Sequence, residues 1–135
     1  MAAFLDRRAK KEGLANIRAV LADADNPKIP EPVDLIFVCD TYHHIGHRSD
    51  YFRKLHASLL PEGRIVIVDY YKNKSTPVGP PPEARIDPGQ VIMELESAGF
   101  RLIRQDNSLD YQYVLFFESR PDNESPLTKT QAGKP

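Results

Sequence analysis

Two continuous apolar runs constrain this chain most: Val33–Cys39 (VDLIFVC) and residues 64–70 (RIVIVDY). An apolar run of this length, continuous apart from Asp34 and lacking the alternation of a half-exposed strand, suits a strand covered on both faces, as in parallel sheets. Each run stops at an acid, Asp40 or Asp69. After the first run Asp40, Thr41, Tyr42, His43 and His44 follow without a break.

The segments between these runs predict helices and loops. Residues 2–13 place Phe4, Leu5 and Ala9 on one helical face, with Gly13 as a C-terminal stop. Residues 17–22 read as a short strand ending at Asp23, and the prolines of 26–32 make a loop. Ser49 is a candidate N-cap for a helix over 50–60, with Tyr51, Phe52, Leu55, Leu59 and Leu60 inward, ended by Pro61-Glu-Gly63. Residues 72–86, with Pro77 and Pro80 to Pro82, form a long loop, and Lys72-Asn-Lys74 reads as solvated. Asp87 caps and Pro88 opens a helix over Val91, Ile92, Leu95 and Ala98 that stops at Gly99. Residues 100–104 and 111–118 read as an antiparallel pair, and the polar, proline-rich residues from Arg120 on as disordered. Apolar strands alternating with amphipathic helices predict an α/β fold with a mainly parallel sheet. Ligands then bind beyond the carboxyl ends of the strands, where Asp23, Asp40 to His44 and Asp69 share one rim.

Length and composition fit one soluble domain, over 1–119, followed by the tail 120–135. A formal net charge of −1 gives no electrostatic reason to expect nucleic acid or an anionic membrane. Arg7, Arg8, Lys10 and Lys11 interrupt any apolar core of a signal peptide. The single cysteine, Cys39, cannot close an internal disulfide, which is compatible with a reducing cytoplasm. No serine lies in a G-x-S-x-G elbow.

Three stretches, 33–45, 59–69 (LLPEGRIVIVD) and 97–100 (SAGF), in this order and spacing, resemble the class I S-adenosylmethionine-dependent methyltransferases. The resemblance runs from about residue 3 to 118 and implies a Rossmann-like sheet with helices on both faces and a C-terminal antiparallel hairpin. It also implies S-adenosylmethionine as cofactor. Such enzymes begin with a strand and a glycine-rich loop that cradles the methionine part of the cofactor, where absent Cβ atoms permit close approach. None of the seven glycines here forms such a loop. The chain therefore looks like the carboxyl two-thirds of the domain, a truncated sheet. The strands it lacks sit mid-sheet in the family, which leaves one edge of Val33–Cys39 bare. Either residues 17–22 close against that edge, or a second copy pairs there as a C2 homodimer.

The resemblance places Asp23 and Ala24 where a carboxylate and an amide meet adenine, and Asp40, Thr41 and Tyr42 beside the cofactor and substrate pocket. The plain alternatives are a capping loop aspartate and a polar strand end. His43 and His44 are candidate proton acceptors for a hydroxyl or amine undergoing methylation. Adjacent histidines point different ways, and His44 is preferred; either would otherwise be structural. No cysteine partners His43, His44 and His47, so a metal site is not expected. Asp69 and Tyr70 fall where family substrates sit, and Tyr70 lines an apolar pocket or packs in the core. Cys39 reads as a small buried apolar residue. The leading expectation is methyl transfer from S-adenosylmethionine to a small molecule. The alternatives are a catalytically reduced methyltransferase-like binding or dimerisation module and, third, a small-molecule hydrolase using the same crevice.

Overall fold

A computed structural model describes residues 1–121 of the chain. Helix α1 (Ala2–Lys11) is followed by strand β1 (Val33–Cys39), helix α2 (Arg48–Arg53), strand β2 (Leu59–Tyr70), helix α3 (Pro88–Ser97) and the strands β3 (Phe100–Asp106) and β4 (Gln112–Ser119). The sheet order is β1-β2-β4-β3. β1 runs parallel to β2, whereas β2–β4 and β3–β4 are antiparallel. The α/β class and the C-terminal hairpin stand as expected. The parallel share is smaller, because residues 17–22 form no strand; only an isolated bridge, Asp23 to Asn26, follows them. Ile17, Val20 and Leu21 remain exposed, so no apolar burial offsets the entropy of ordering a strand there.

The core lies on one face of the sheet. Ile36 and Val38 of β1, Ile65 and Ile67 of β2 and Leu115 and Phe117 of β4 pack with Phe52 and Leu55 from the α2 region and Val91 and Leu95 of α3. Fully burying such side chains stabilises by about 1.5–3 kcal/mol each. Both α2 and α3 therefore cover that face. On the other, Val66 and Val68 are buried, but Leu35 and Phe37 stay 53% and 60% exposed, so helical cover of both faces is incomplete at β1.

The helix expected over 50–60 is divided. α2 ends at Arg53 and a 3-10 segment, Lys54–Ser58, follows it. Ser49 does not cap it. His47 takes that position in a left-handed conformation, and the Ser49 hydroxyl donates to the Glu94 carbonyl instead. Residues 59–63, expected to end the helix, are already strand, with an irregularity opposite Val33 to Leu35. Gly63 is needed there: a Cβ would stand 2.8 Å from Leu59 Cδ2 and 3.0 Å from the Leu60 carbonyl. The tail expected to be disordered lies, beyond Pro121, outside the described residues. Among the described residues no helix is long and apolar enough to cross a membrane.

Candidate functional site

The carboxyl ends of β1 and β2 lie side by side because the two strands are parallel neighbours, with Cys39 opposite Val68. Asp40 leaves β1 with φ 53, a left-handed conformation that a short polar side chain tolerates. Its N–H still donates to the Val68 carbonyl at 2.8 Å. Its carboxylate accepts from Gln112 Nε2 of β4. The Thr41 hydroxyl donates to the Cys39 carbonyl at 2.9 Å, and a 3-10 turn over Tyr42–His44 follows.

That turn is fastened from beneath by Asp69, which is completely buried. Asp69 Oδ2 accepts the His43 N–H at 3.2 Å and lies 2.9 Å from His43 Nδ1, while Oδ1 accepts the Tyr70 N–H at 2.8 Å. A carboxylate only accepts, so Nδ1 is the donor of this pair. The His43 side chain is 5% exposed. His44 is exposed, its ring centroid 4.1 Å from that of His43. The two adjacent histidines thus have separate placements, one locked to Asp69 and one facing outward. Asp69, expected beside the substrate, is the partner of His43 instead, with its oxygens already engaged.

Tyr42 departs from expectation more fully. It is wholly buried, packs against Phe52 at 5.3 Å between ring centroids, and donates its hydroxyl to Glu94 Oε1 at 2.8 Å. Its side chain therefore belongs to the core and not to a cofactor wall. Burial, then the Glu94 hydrogen bond, push its hydroxyl pKa far up. Arg48 closes the same cluster, with Nε and Nη2 donating to the two Glu94 oxygens at 2.8 and 3.1 Å. Burial alone would raise the Glu94 pKa, but bonds from Arg48 and Tyr42 outweigh it and hold the carboxyl below its usual range. This cluster ties the 3-10 turn and α2 to α3.

Asp23 and Ala24 are not brought into this group. Asp23 pairs with Asn26 across a bridge and with Lys28 Nζ at 3.1 Å, both side chains more than half exposed; Ala24 is exposed. Cys39, expected buried, is exposed at the strand end. Partial burial and the negative charges of Asp40 and Asp69 push its thiol pKa up. A cavity of about 460 Å³ lies against β1, lined by Phe37, Cys39, Thr41, Ile29, Ile45 and Tyr51 among others. Tyr70 sits under the 72–86 loop, where Gly79 (φ 100) approaches its ring so closely that a Cβ would stand 2.7 Å from it.

Sequence reasoning missed Gln112, Glu94 and Arg85. The first two reach the site from β4 and α3, far along the chain, and nothing local marks them. Arg85, in the long loop 72–86, is 5% exposed and donates to the carbonyls of Pro80, Tyr71 and Lys74 and to the Thr76 hydroxyl.

A family profile described as a methyltransferase domain matches residues 1–67. A SAM-dependent methyltransferase from Aquifex aeolicus superposes with a TM-score of 0.77 at 27% identity, over 86% of this chain and 62% of that one. In sequence and fold, the chain matches the class I S-adenosylmethionine-dependent methyltransferases. It spans 62% of the length of the Aquifex methyltransferase. The O-methyltransferase NcsB1 of neocarzinostatin biosynthesis, in complex with S-adenosyl-L-homocysteine and 1,4-dihydroxy-2-naphthoic acid, shares the fold at 12% identity. Its TM-score is 0.72, over 87% of this chain and 39% of that one. The [4+2]-cyclase SpnF also shares it, with a TM-score of 0.68 at 14% identity over 89% and 62% of the two chains. The methyltransferase fold is thus common to proteins whose names describe different reactions, and the chemistry is argued from the site. No curated protein matches the sequence.

Proposed function

We propose that this chain serves S-adenosylmethionine-dependent methyl transfer to a small molecule at the joined carboxyl ends of β1 and β2. The observation that carries this reading is the Asp69–His43 pair, which fixes the 3-10 turn against the rim and leaves the His44 imidazole outward. When bound, S-adenosylmethionine supplies a methyl group on a sulfonium, a reaction that depends mostly on positioning. Thr41 and Cys39 line the cavity side of the rim and would hold the cofactor. A cavity of about 460 Å³ is within the usual range for such ligands. His44 accepts the proton that a hydroxyl or amine acceptor loses; His43, anchored by Asp69, orients the turn. Tyr70 and the 72–86 loop form the acceptor side, and compartment and oligomer are not needed for this chemistry.

A second reading is a catalytically reduced binding module. It is favoured by the lack of any glycine-rich strand-to-helix loop in the sequence, which removes the usual cradle for the methionine part. Isothermal titration with S-adenosylmethionine and S-adenosylhomocysteine separates the two. Saturable heat that is retained in His44→Ala supports the first reading. No heat at millimolar ligand leaves only the second.

A further inference from the structure

The turn that follows β1 is gripped at both of its ends. Asp69 holds the His43 end. The Asp40 end is held by Gln112, whose Nε2 donates to the Asp40 carboxylate. This bond crosses the carboxyl end of β2, the strand that separates β1 from β4. In the register of β2 with β4, Asp69 stands opposite Tyr113 and Tyr70 opposite Gln112. Successive side chains of a strand point to opposite faces. Asp69 and Tyr113 are fully buried on the core face, so Gln112 reaches Asp40 from the other face. Asp40 needs such a hold. Its φ of 53 is a left-handed conformation, disfavoured for a residue with a Cβ and kept where neighbours fix it. The N–H bond to Val68 fixes the main chain, and the bond from Gln112 fixes the side chain. Gln112 itself stands on a rigid base. Tyr113 beside it donates its hydroxyl to the Ile86 carbonyl at 2.8 Å, and the Tyr111 carbonyl accepts from the Tyr71 N–H at 3.1 Å.

From this geometry we infer that Gln112 is a positioning residue of the rim. By clasping Asp40 it selects the one course of the chain that sets Thr41 against the cavity and turns the His44 imidazole outward. The bond is charge-assisted, and so stronger than one between neutral groups. It joins residues 72 positions apart, so it ties the rim to the far end of the fold and is no local turn contact. A change of φ at Asp40 redirects every residue that follows. The bond of the Thr41 hydroxyl to the Cys39 carbonyl, at 2.9 Å, spans Asp40 and is lost with it. Thr41 and Cys39 both line the cavity, so the clasp sets the shape of that wall. That this wall receives S-adenosylmethionine rests on the methyl-transfer reading; the clasp itself does not.

Two single variants and one exchange of partners test the clasp by amide hydrogen exchange. Gln112→Leu removes the donor, and Gln112→Glu sets two carboxylates face to face. Each is expected to leave exchange in the middle of β2 and β4 within about two-fold of the wild type. Exchange of the Asp40 N–H, and of the turn amides of His44 and Ile45, is expected to speed up by at least about ten-fold. Gln112→Glu combined with Asp40→Asn reverses donor and acceptor at the same overall length, and asparagine tolerates the left-handed conformation. This double variant is expected to restore slow exchange. Unchanged exchange at Asp40 in Gln112→Leu overturns the inference, and so does a double variant that restores nothing. Titration of the same proteins with S-adenosylhomocysteine separates the clasp from the ligand reading. Affinity is expected to fall about ten-fold in Gln112→Leu and to return in the double variant. No binding to the wild type, with the exchange pattern as expected, contradicts the methyl-transfer reading and upholds the clasp. Binding to Gln112→Leu as tight as to the wild type contradicts the positioning role.

Discussion

At the scale of single residues, Asp69 organises the rim. It offers carboxylate oxygens to two main-chain N–H groups and one imidazole from a fully buried position. Asp69→Asn puts an amide NH2 where an acceptor is required, so a buried donor is left without its partner. The expected loss is about 2–3 kcal/mol in urea unfolding. Equal stability of wild type and Asp69→Asn would contradict the anchoring role. His44, by contrast, is exposed, and His44→Ala is expected to change stability by less than about 0.5 kcal/mol. The sequence marks Asp69 as the end of an apolar strand, but whether it faces a ligand or holds a neighbour depends on residue 43 arriving above it. Only the parallel pairing of β1 with β2 brings the two together. Tyr42 was illegible for the same reason: a phenol beside two histidines looks like site chemistry, and only Glu94, fifty-two positions away, shows where it points.

At the scale of elements, the Tyr42–Arg48–Glu94 cluster joins the 3-10 turn and α2 to α3. Glu94 titrates below the usual carboxylate value of 4.5 in the folded protein. A depressed carboxyl pKa adds stability that is present above the unfolded value and fades as pH falls through the folded one. The wild type should therefore lose thermal stability progressively below about pH 4.5. Glu94→Gln should show a flatter profile in that window and be less stable at neutral pH by about 2–3 kcal/mol, because Arg48 loses its charged partner. Melting temperatures between pH 7 and 3 give the comparison; parallel profiles would mean that Glu94 does not couple folding to acid. The 72–86 loop has its own fastening in Arg85, whose guanidinium collects carbonyls from both ends of the loop. Arg85→Ala is expected to raise tryptic cleavage at Lys72 and Lys74 several-fold, with amide exchange in β2 and β4 unchanged. Unaltered cleavage would assign the loop's order to other contacts. The strands and α3 were readable because their apolar spacing is set by local burial. The break at Arg53 was not, since the apolar spacing of Phe52 and Leu55 fits an α-helix and a 3-10 segment alike.

At the scale of the whole molecule, four strands and two covering helices place the carboxyl ends of β1 and β2, the Asp69–His43 pair and a cavity at one margin of the sheet. The α/β order was legible from the alternation of strand and helix patterns. The sheet's final proportions were not, because residues 17–22 carry a strand-like composition without a partner to pair with. The account rests on that margin being a ligand site for S-adenosylmethionine and its product. Backbone amide resonances followed during titration with S-adenosylhomocysteine test it most directly. The account predicts saturable shifts concentrated in residues 39–45 and 69–70, with little change at the amino end of β2 or in the β3–β4 turn. Shifts confined to other regions, or none at millimolar ligand, would contradict it.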